Sequence, residues 1–593
     1  MNRSRRRTWW TALLAFVMLT AVAGCGGLPT DDSPRAGQPV LSQPRQVIQV
    51  RPEGPSAGAT PEQIVRGFLL ANISFADGHE VARAYLTDPL AASWVPTDNV
   101  VVHTGEPELS ASSEGVVRAE VPVQGLLNEA GELSELASST VRAEDFTLTR
   151  VDDQWRINEF PEDFGLWLSV TAFEAQYRTA SVNYLSTVED AFVPDVRWFS
   201  RDDGLPTALA RALLAPVPEY LNGVVTTGTA EGTTLVAGAV PLDPSTGTAT
   251  VNLQGPGLTE DPEQVRDIYA SFGATLFQAA GVRAVEIQAN DQPLTAVGVS
   301  GLLSSVEDLG FALSRGGPEY AVLRVDESLT AVDPDDFALR NVPADLQEEL
   351  ALPEVDAGWV DLAMNVESTE FSAVDVDREV LWRLSNDTEI ERSNIGENLT
   401  RPAFDAFGSL WVAGGSSVGP QVWTIDTRGG VNALAKPLDA DWLDTGMSIE
   451  AITIAPDGHR AAVLIAEGGE QRLGLVGVVR DQEDRPTALT TPQPAAPTLT
   501  AITDVTWASQ ESLAVLGQRA EDEQDTPYLL PLGEWLRPLE VEAGATDLVG
   551  VPTGEGFDLF LITDAGRIYT PEGATWTPYR NGDELIVPAG SAT

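Results

Sequence analysis

Hydrophobic positions change their spacing repeatedly along this chain, and each change marks a different kind of element. An apolar run from Trp9 to Ala23 follows Arg3, Arg5, Arg6 and Arg7. At 15 residues it is shorter than the roughly 20 that a spanning helix needs. A basic start, a short apolar segment and the small residues Val22-Ala23-Gly24 are the layout of a secretory leader, expected over 1–24. Residues 25–59 lose periodicity and fill with Pro, Gly and Ser, which predicts a tether. Its ~30 residues would span about 30 Å as coil and roughly 90 Å as polyproline. The short apolar patch Val47-Ile48-Gln49-Val50 is the one place in it that suits an edge strand.

Helical spacing begins at Thr60-Pro61-Glu62, a capping hydroxyl followed by proline in the first turn. Ile64, Val65, Phe68 and Leu69 share one face, and a second helix is expected over Glu80–Leu86, closed by Ala92-Ser93-Trp94-Val95-Pro96. Strand-like runs then follow at Val100–His103, Val116–Val123, Thr140–Thr149 and Trp155–Glu159. Helices first and an antiparallel sheet afterwards predict an α+β cone-like domain over 60–170. A second α+β domain, over 180–305, is read from strand Val196–Ser200, helix Pro206–Leu214, strands Thr234–Val240 and Ala249–Leu253, a long helix Asp261–Ala280 and strand Ala284–Ala289.

From 315 to 593 the pattern is all-β. Ala403–Val412, Ile454–Val463 and Thr506–Val515 are variants of one strand-turn-strand unit, with a fourth near Gly550–Ile562. Gly408 and Gly458 lie 50 residues apart, and Asp457 and Gln510 lie 53 apart. Such spacing, with short strands, predicts a β-propeller of five or six blades. Pro456-Asp457-Gly458 supplies turn residues.

Composition removes several kinds of chemistry. Cys25 is the only cysteine, so disulfides within the chain, a folded-domain thiol nucleophile and Cys-ligated metals are excluded. Acidic residues outnumber basic ones 88 to 36, and loss of the four leader arginines takes the net charge from −52 to −56. With a single lysine, Lys436, there is no basic footprint for nucleic acid or for anionic lipid heads. The 43% apolar content and 14 tryptophans are ample for packed cores. No cofactor is expected: phosphate loops and dinucleotide fingerprints are absent.

The catalytic candidates are weak. Gly415-Ser416-Ser417-Val418-Gly419 matches the nucleophile-elbow pattern, but it sits in a β-repeat with no helix after it and only His459 downstream. His79 and His103 are read as surface or strand residues. No Ser-x-x-Lys precedes Lys436, because Ala433 stands there. The acidic groups Asp333, Asp335 and Asp336, then Asp375 and Asp377, then Asp439, Asp441 and Asp444 lack the spacing of a calcium loop. The expected catalytic, cofactor and metal residues are therefore none.

Resemblances sharpen this outline. Val22-Ala23-Gly24-Cys25 looks like the lipobox of bacterial lipoproteins, which implies a diacylglyceryl thioether and an N-acyl group, such as palmitate, on Cys25. The first domain, with its Trp94-Val95-Pro96 closure, is similar to the nuclear-transport-factor-two-like cone. The second resembles the GerMN domain of spore-germination and sporulation proteins through residues 211–221 (RALLAPVPEYL) and the strand ending Val251-Asn252-Leu253. That resemblance implies a protein-interaction module.

The order of leader, tether, cone, GerMN-like domain and propeller resembles the LpqB family of actinobacterial lipoproteins over essentially the whole chain. The resemblance implies a non-enzymatic protein anchored by lipid to the extracytoplasmic face of the cell membrane. Its partner would be the extracytoplasmic part of a sensor histidine kinase, in an MtrAB-like two-component system affecting cell-wall homeostasis and division. A rival reading is a cell-envelope hydrolase or lactonase working at the propeller channel, which needs convergent histidines or metal-binding acids there. Another is a transporter-linked binding lipoprotein, which needs a two-lobed α/β fold.

Overall fold

Thr60 opens helix α1 (Pro61–Ala71) with a reciprocal capping box: its hydroxyl accepts from the Gln63 amide, and the Gln63 side chain accepts from the Thr60 amide. The computed structural model describes residues 52–589 apart from short internal stretches, the longest being 334–349. The leader, Cys25, the tether up to Arg51 with its Val47–Val50 patch, and Asp335 and Asp336 lie outside the described residues. From Pro52 onward the chain is one compact unit. No helix among the described residues is long and apolar enough to cross a membrane.

In the first domain, α1 is followed by two short helices, α2 (Glu80–Arg83) and α3 (Asp88–Ser93). Seven strands follow: β1 (Asn99–His103), β2 (Glu108–Ser113), β3 (Val116–Asn128), β4 (Leu133–Glu135), β5 (Val141–Val151), β6 (Gln154–Glu159) and β7 (Leu166–Ser169). The sheet order is β6-β5-β3-β1-β7, with β2 and β4 also on β3. Burial alternates along β3 as one face meets the core, where α1 packs with Phe68 against Trp94, Phe146 and Phe164. The single helix expected over Glu80–Leu86 is instead a four-residue turn of helix followed by α3, because Asp88-Pro89 starts a new helix at its own first turn.

Helix α4 (Val170–Gln176) runs directly into the hairpin β8 (Tyr177–Ser186) and β9 (Phe192–Ser200). The second domain continues through α5 (Leu205–Leu214), β10 (Val225–Thr226), β11 (Thr234–Leu235), β12 (Leu242–Asp243), β13 (Thr248–Gln254), α6 (Pro262–Leu276), β14 (Ala284–Ala289) and β15 (Gln292–Pro293). Strands β13 and β14 are parallel, so the chain must cross over between them, and α6 is that crossover. Two expectations are corrected. The strand predicted over Thr234–Val240 stops at Leu235, since the chain turns through Gly238 at φ 63°. The helix predicted to Ala280 ends at Leu276.

Among the described residues the C-terminal part is a β-propeller of six sheets. Five are consecutive, at 359–392, 403–437, 447–495, 499–538 and 545–581. The sixth joins both ends of the domain: Glu584–Ile586 pairs antiparallel with Ala321–Val325, which pairs with Ser328–Val332. Buried Arg324 fastens this closure. Its guanidinium lies 2.7 Å from Glu584 Oε1 and donates to the Trp359 carbonyl at 2.6 Å, while the other Glu584 oxygen accepts from the Leu362 amide. The repeated unit seen in the sequence is the turn between the two inner strands of each blade. Asp405 there accepts from the Phe407 and Ser409 amides, and Asp457 accepts from the His459 amide.

Candidate functional site: propeller channel and interdomain platform

The innermost strands of all six blades converge on an axial cavity of about 1060 Å³. Arg401, carried just before the inner strand of the second blade, reaches across it. Its guanidinium is 3.4 Å from Asp361 of the first blade and 3.6 Å from Asp504 of the fourth, and it pairs closely with Asp547 of the fifth. Arg378 holds the other Asp361 oxygen at 2.6 Å. Two arginines among a larger number of carboxylates tie the inner strands together and leave the channel acidic. No histidine lines it, and among the described residues no group of three or more His, Cys, Asp or Glu is placed to hold a metal ion.

Burial pushes the Asp504 carboxyl up to about 6; Arg401 opposes this and Asp547 adds to it. The folded protein thus holds this proton through a window, about pH 4 to 6, in which the unfolded chain has lost it. Stability from this group is present at the acid end and falls as pH rises through that window, by about 3 kcal/mol. Buried His79, held down at about 4 by burial and by Arg83, gives the opposite slope. We expect Asp504→Asn, compared with the parent in urea melts between pH 4 and 7, to remove the first trend and leave a curve that rises more steeply with pH. Identical curves would show that Asp504 titrates normally.

A second concentration of polar groups joins the domains. Arg460, wholly buried, lies 2.9 Å from Asp457 Oδ2 through Nε, and donates to the Pro194 carbonyl at 2.9 Å and to the Gln510 carbonyl at 2.7 Å. Its neighbour His459 is 2.9 Å from Glu189. Ser181 of β8 bonds Glu511, and the Trp198 indole of β9 donates to the Gly533 carbonyl at 2.7 Å. The first domain meets the same blade: Glu135 accepts from the Leu536 amide and faces Arg519 at 3.5 Å, and Trp535 packs into the first domain's core. Close packing is built in at Gly125, where a Cβ would come within 2.8 Å of the Trp535 ring. All three domains are thereby fixed around the third and fourth blades.

The sequence candidates fall elsewhere. Ser417 is exposed in the tight turn between the antiparallel strands Ser409–Ser416 and Gly419–Asp426, with no helix after it. His79 is buried beside Trp94, not at the surface, because its αL conformation at the start of α2 turns the ring inward. His103 ends β1, buried, with Nδ1 3.1 Å from the Gly105 carbonyl. Asp375 is a turn residue, accepting from the Glu379 and Val380 amides. Arg401 and Arg460 were missed. For Arg460 the signal was present in Pro456-Asp457-Gly458-His459-Arg460, where an arginine three residues after a buried turn aspartate is positioned to pair with it.

Three family models match the chain: "Lipoprotein LpqB, N-terminal domain" over residues 54–174, "Sporulation and spore germination" over 179–295 and "Lipoprotein LpqB beta-propeller domain" over 350–589. Among curated proteins, Lipoprotein LpqB of Cutibacterium acnes is 26% identical over 584 residues, covering 94% of this chain and 95% of that one. Lipoprotein LpqB of Streptomyces coelicolor is 24% identical over 627 residues, covering 98% of each.

Proposed function

This chain belongs to the LpqB lipoprotein family, and from that premise we propose that it is a lipid-anchored, extracytoplasmic binding platform for the sensor histidine kinase of an MtrAB-like two-component system. Acylated Cys25 holds it to the membrane, the tether lets it reach its partner, and the three fixed domains present one surface. The reading is carried by the interdomain junction. Buried Arg460 and His459, with Trp198 and Trp535, bind the domains to one another. A non-enzymatic role also agrees with the acidic, histidine-free channel. Anchoring raises the effective concentration beside a membrane receptor to roughly the millimolar range, so a weak contact suffices.

Crosslinking in intact cells, followed by capture of the tagged lipoprotein and mass spectrometry, should recover a sensor kinase. Deleting the lipoprotein should change that kinase's output, and Ser417→Ala should leave it unchanged. Recovery of no kinase would end the signalling reading. Loss of function on changing Ser417, or one channel carboxylate, with folding and membrane location preserved, would put an envelope hydrolase in its place.

A further inference from the structure

Where the three domains meet, a cleft of about 610 Å³ opens between α4, the β8–β9 hairpin and the outer edge of the fourth blade. Three arginines line it, Arg178, Arg201 and Arg537, together with Trp198 and Trp535. Such a gathering is unusual in a chain with 88 acidic and 36 basic residues, where many arginines end on a carboxylate. Here two of the three do not. Arg178 has only the Gln278 carbonyl, at 3.3 Å, and Arg201 uses Nε on the Tyr177 carbonyl at 2.7 Å, which leaves both its terminal nitrogens without a protein acceptor.

One of the two carboxylates in the lining, Glu534, is already occupied. One Glu534 oxygen accepts from the Thr179 hydroxyl at 3.0 Å and the other pairs with Arg537. Among the described residues, only Glu174, exposed on α4, adds another negative charge to the lining. Trp535 is 8% exposed, and its indole N–H has no hydrogen-bond partner, a costly state for a buried donor. Uncommitted guanidinium forks match the two-oxygen geometry of carboxylates and phosphates, and indole walls suit an apolar or planar body. The volume is that of a small-ligand site.

We infer that this cleft binds a small ligand through an oxyanion, a carboxylate or a phosphate, held by Arg178 and Arg201 against the two tryptophans. The inference does not depend on the kinase reading. Because its walls come from all three domains, an occupant would reinforce the junction. The chain's net charge of −52 repels anions in bulk, so saturable anion binding has no general electrostatic source.

The test is calorimetric titration of the full chain in neutral detergent with inorganic phosphate and, separately, with glutarate, at constant ionic strength. At least one should bind with one-site saturation and a Kd of about 1 mM or tighter. Arg178→Gln/Arg201→Gln should weaken it at least tenfold, and Arg66→Gln, on the exposed face of α1, should not. If the double variant fails to fold, exposed Arg201→Gln alone carries the comparison. Binding of only one probe would identify the oxyanion. No saturation by either below about 10 mM, or equal binding by a folded variant, would overturn the inference.

Discussion

Arg460→Ala should cost the protein about 3–5 kcal/mol, because it strands a buried aspartate. The Arg460 side chain is fully buried and Asp457 is 1% exposed, and the guanidinium also sits 5.5 Å over the Trp507 ring. Burial would raise the Asp457 carboxyl, yet Arg460 and His459 hold it below its usual range. A depressed carboxyl contributes stability above its unfolded value and loses it as pH falls. Without Arg460 the sign reverses, since an unpaired buried carboxyl prefers its proton. The deficit of the variant should therefore grow as pH rises from about 4 to 7. Denaturant unfolding at the two ends of that range measures it. A loss under about 1 kcal/mol at neutral pH, or one independent of pH, would mean that the pair is not what fixes the second domain to the propeller.

Cys25→Ser should move the protein out of the membrane fraction altogether or leave it unprocessed with its leader attached. Stable attachment takes more than one acyl chain, which a lipobox cysteine carries and a serine does not. The net charge is strongly negative, and no described helix is long and apolar enough to cross a membrane. Fractionation of cells with an antibody to the propeller, together with the mass of the N-terminal peptide, reads both outcomes. A fully cleaved serine variant still found with membranes would show that a protein contact, rather than lipid, holds the chain there. The same variant separates anchoring from partner binding, because it should keep its fold.

Legibility followed the physical source of each signal. Helix α1 was readable because its cap, its proline and its apolar face are all local. The inner hairpins of the blades were readable because aspartate and glycine turns recur near a fixed spacing. Strand β8 was not readable. Ser181, Asn183 and Ser186 are buried there, so polar residues stand where a period-two pattern needs apolar ones. Two are satisfied by distant partners, Asn183 by Thr275 and Ala274 of α6 and Ser181 by Gln278 and Glu511, while Ser186 accepts from the Val188 and Glu189 amides in the hairpin turn. His79 was misplaced for a related reason, since its burial depends on a left-handed backbone turn and on Trp94 folding over it.

The sequence by itself determined the order of the folded parts, two α+β domains and then a propeller, behind an expected leader and tether. It also determined that thiol and zinc-cysteine chemistry are closed to the folded domains. Those conclusions rest on composition and on contacts between neighbours in the chain, which tertiary structure does not alter. Tertiary structure alone decided that the propeller has six blades, because the sixth is made from strands more than 250 residues apart, Ala321–Val325 with Glu584–Ile586. It alone brought Arg401 to carboxylates of three other blades, Arg460 to the second domain, and Arg178, Arg201 and Arg537 to one cleft. The reason is common to all three. A charged side chain reads as surface in sequence, and only closure of the fold fixes which distant groups it must face.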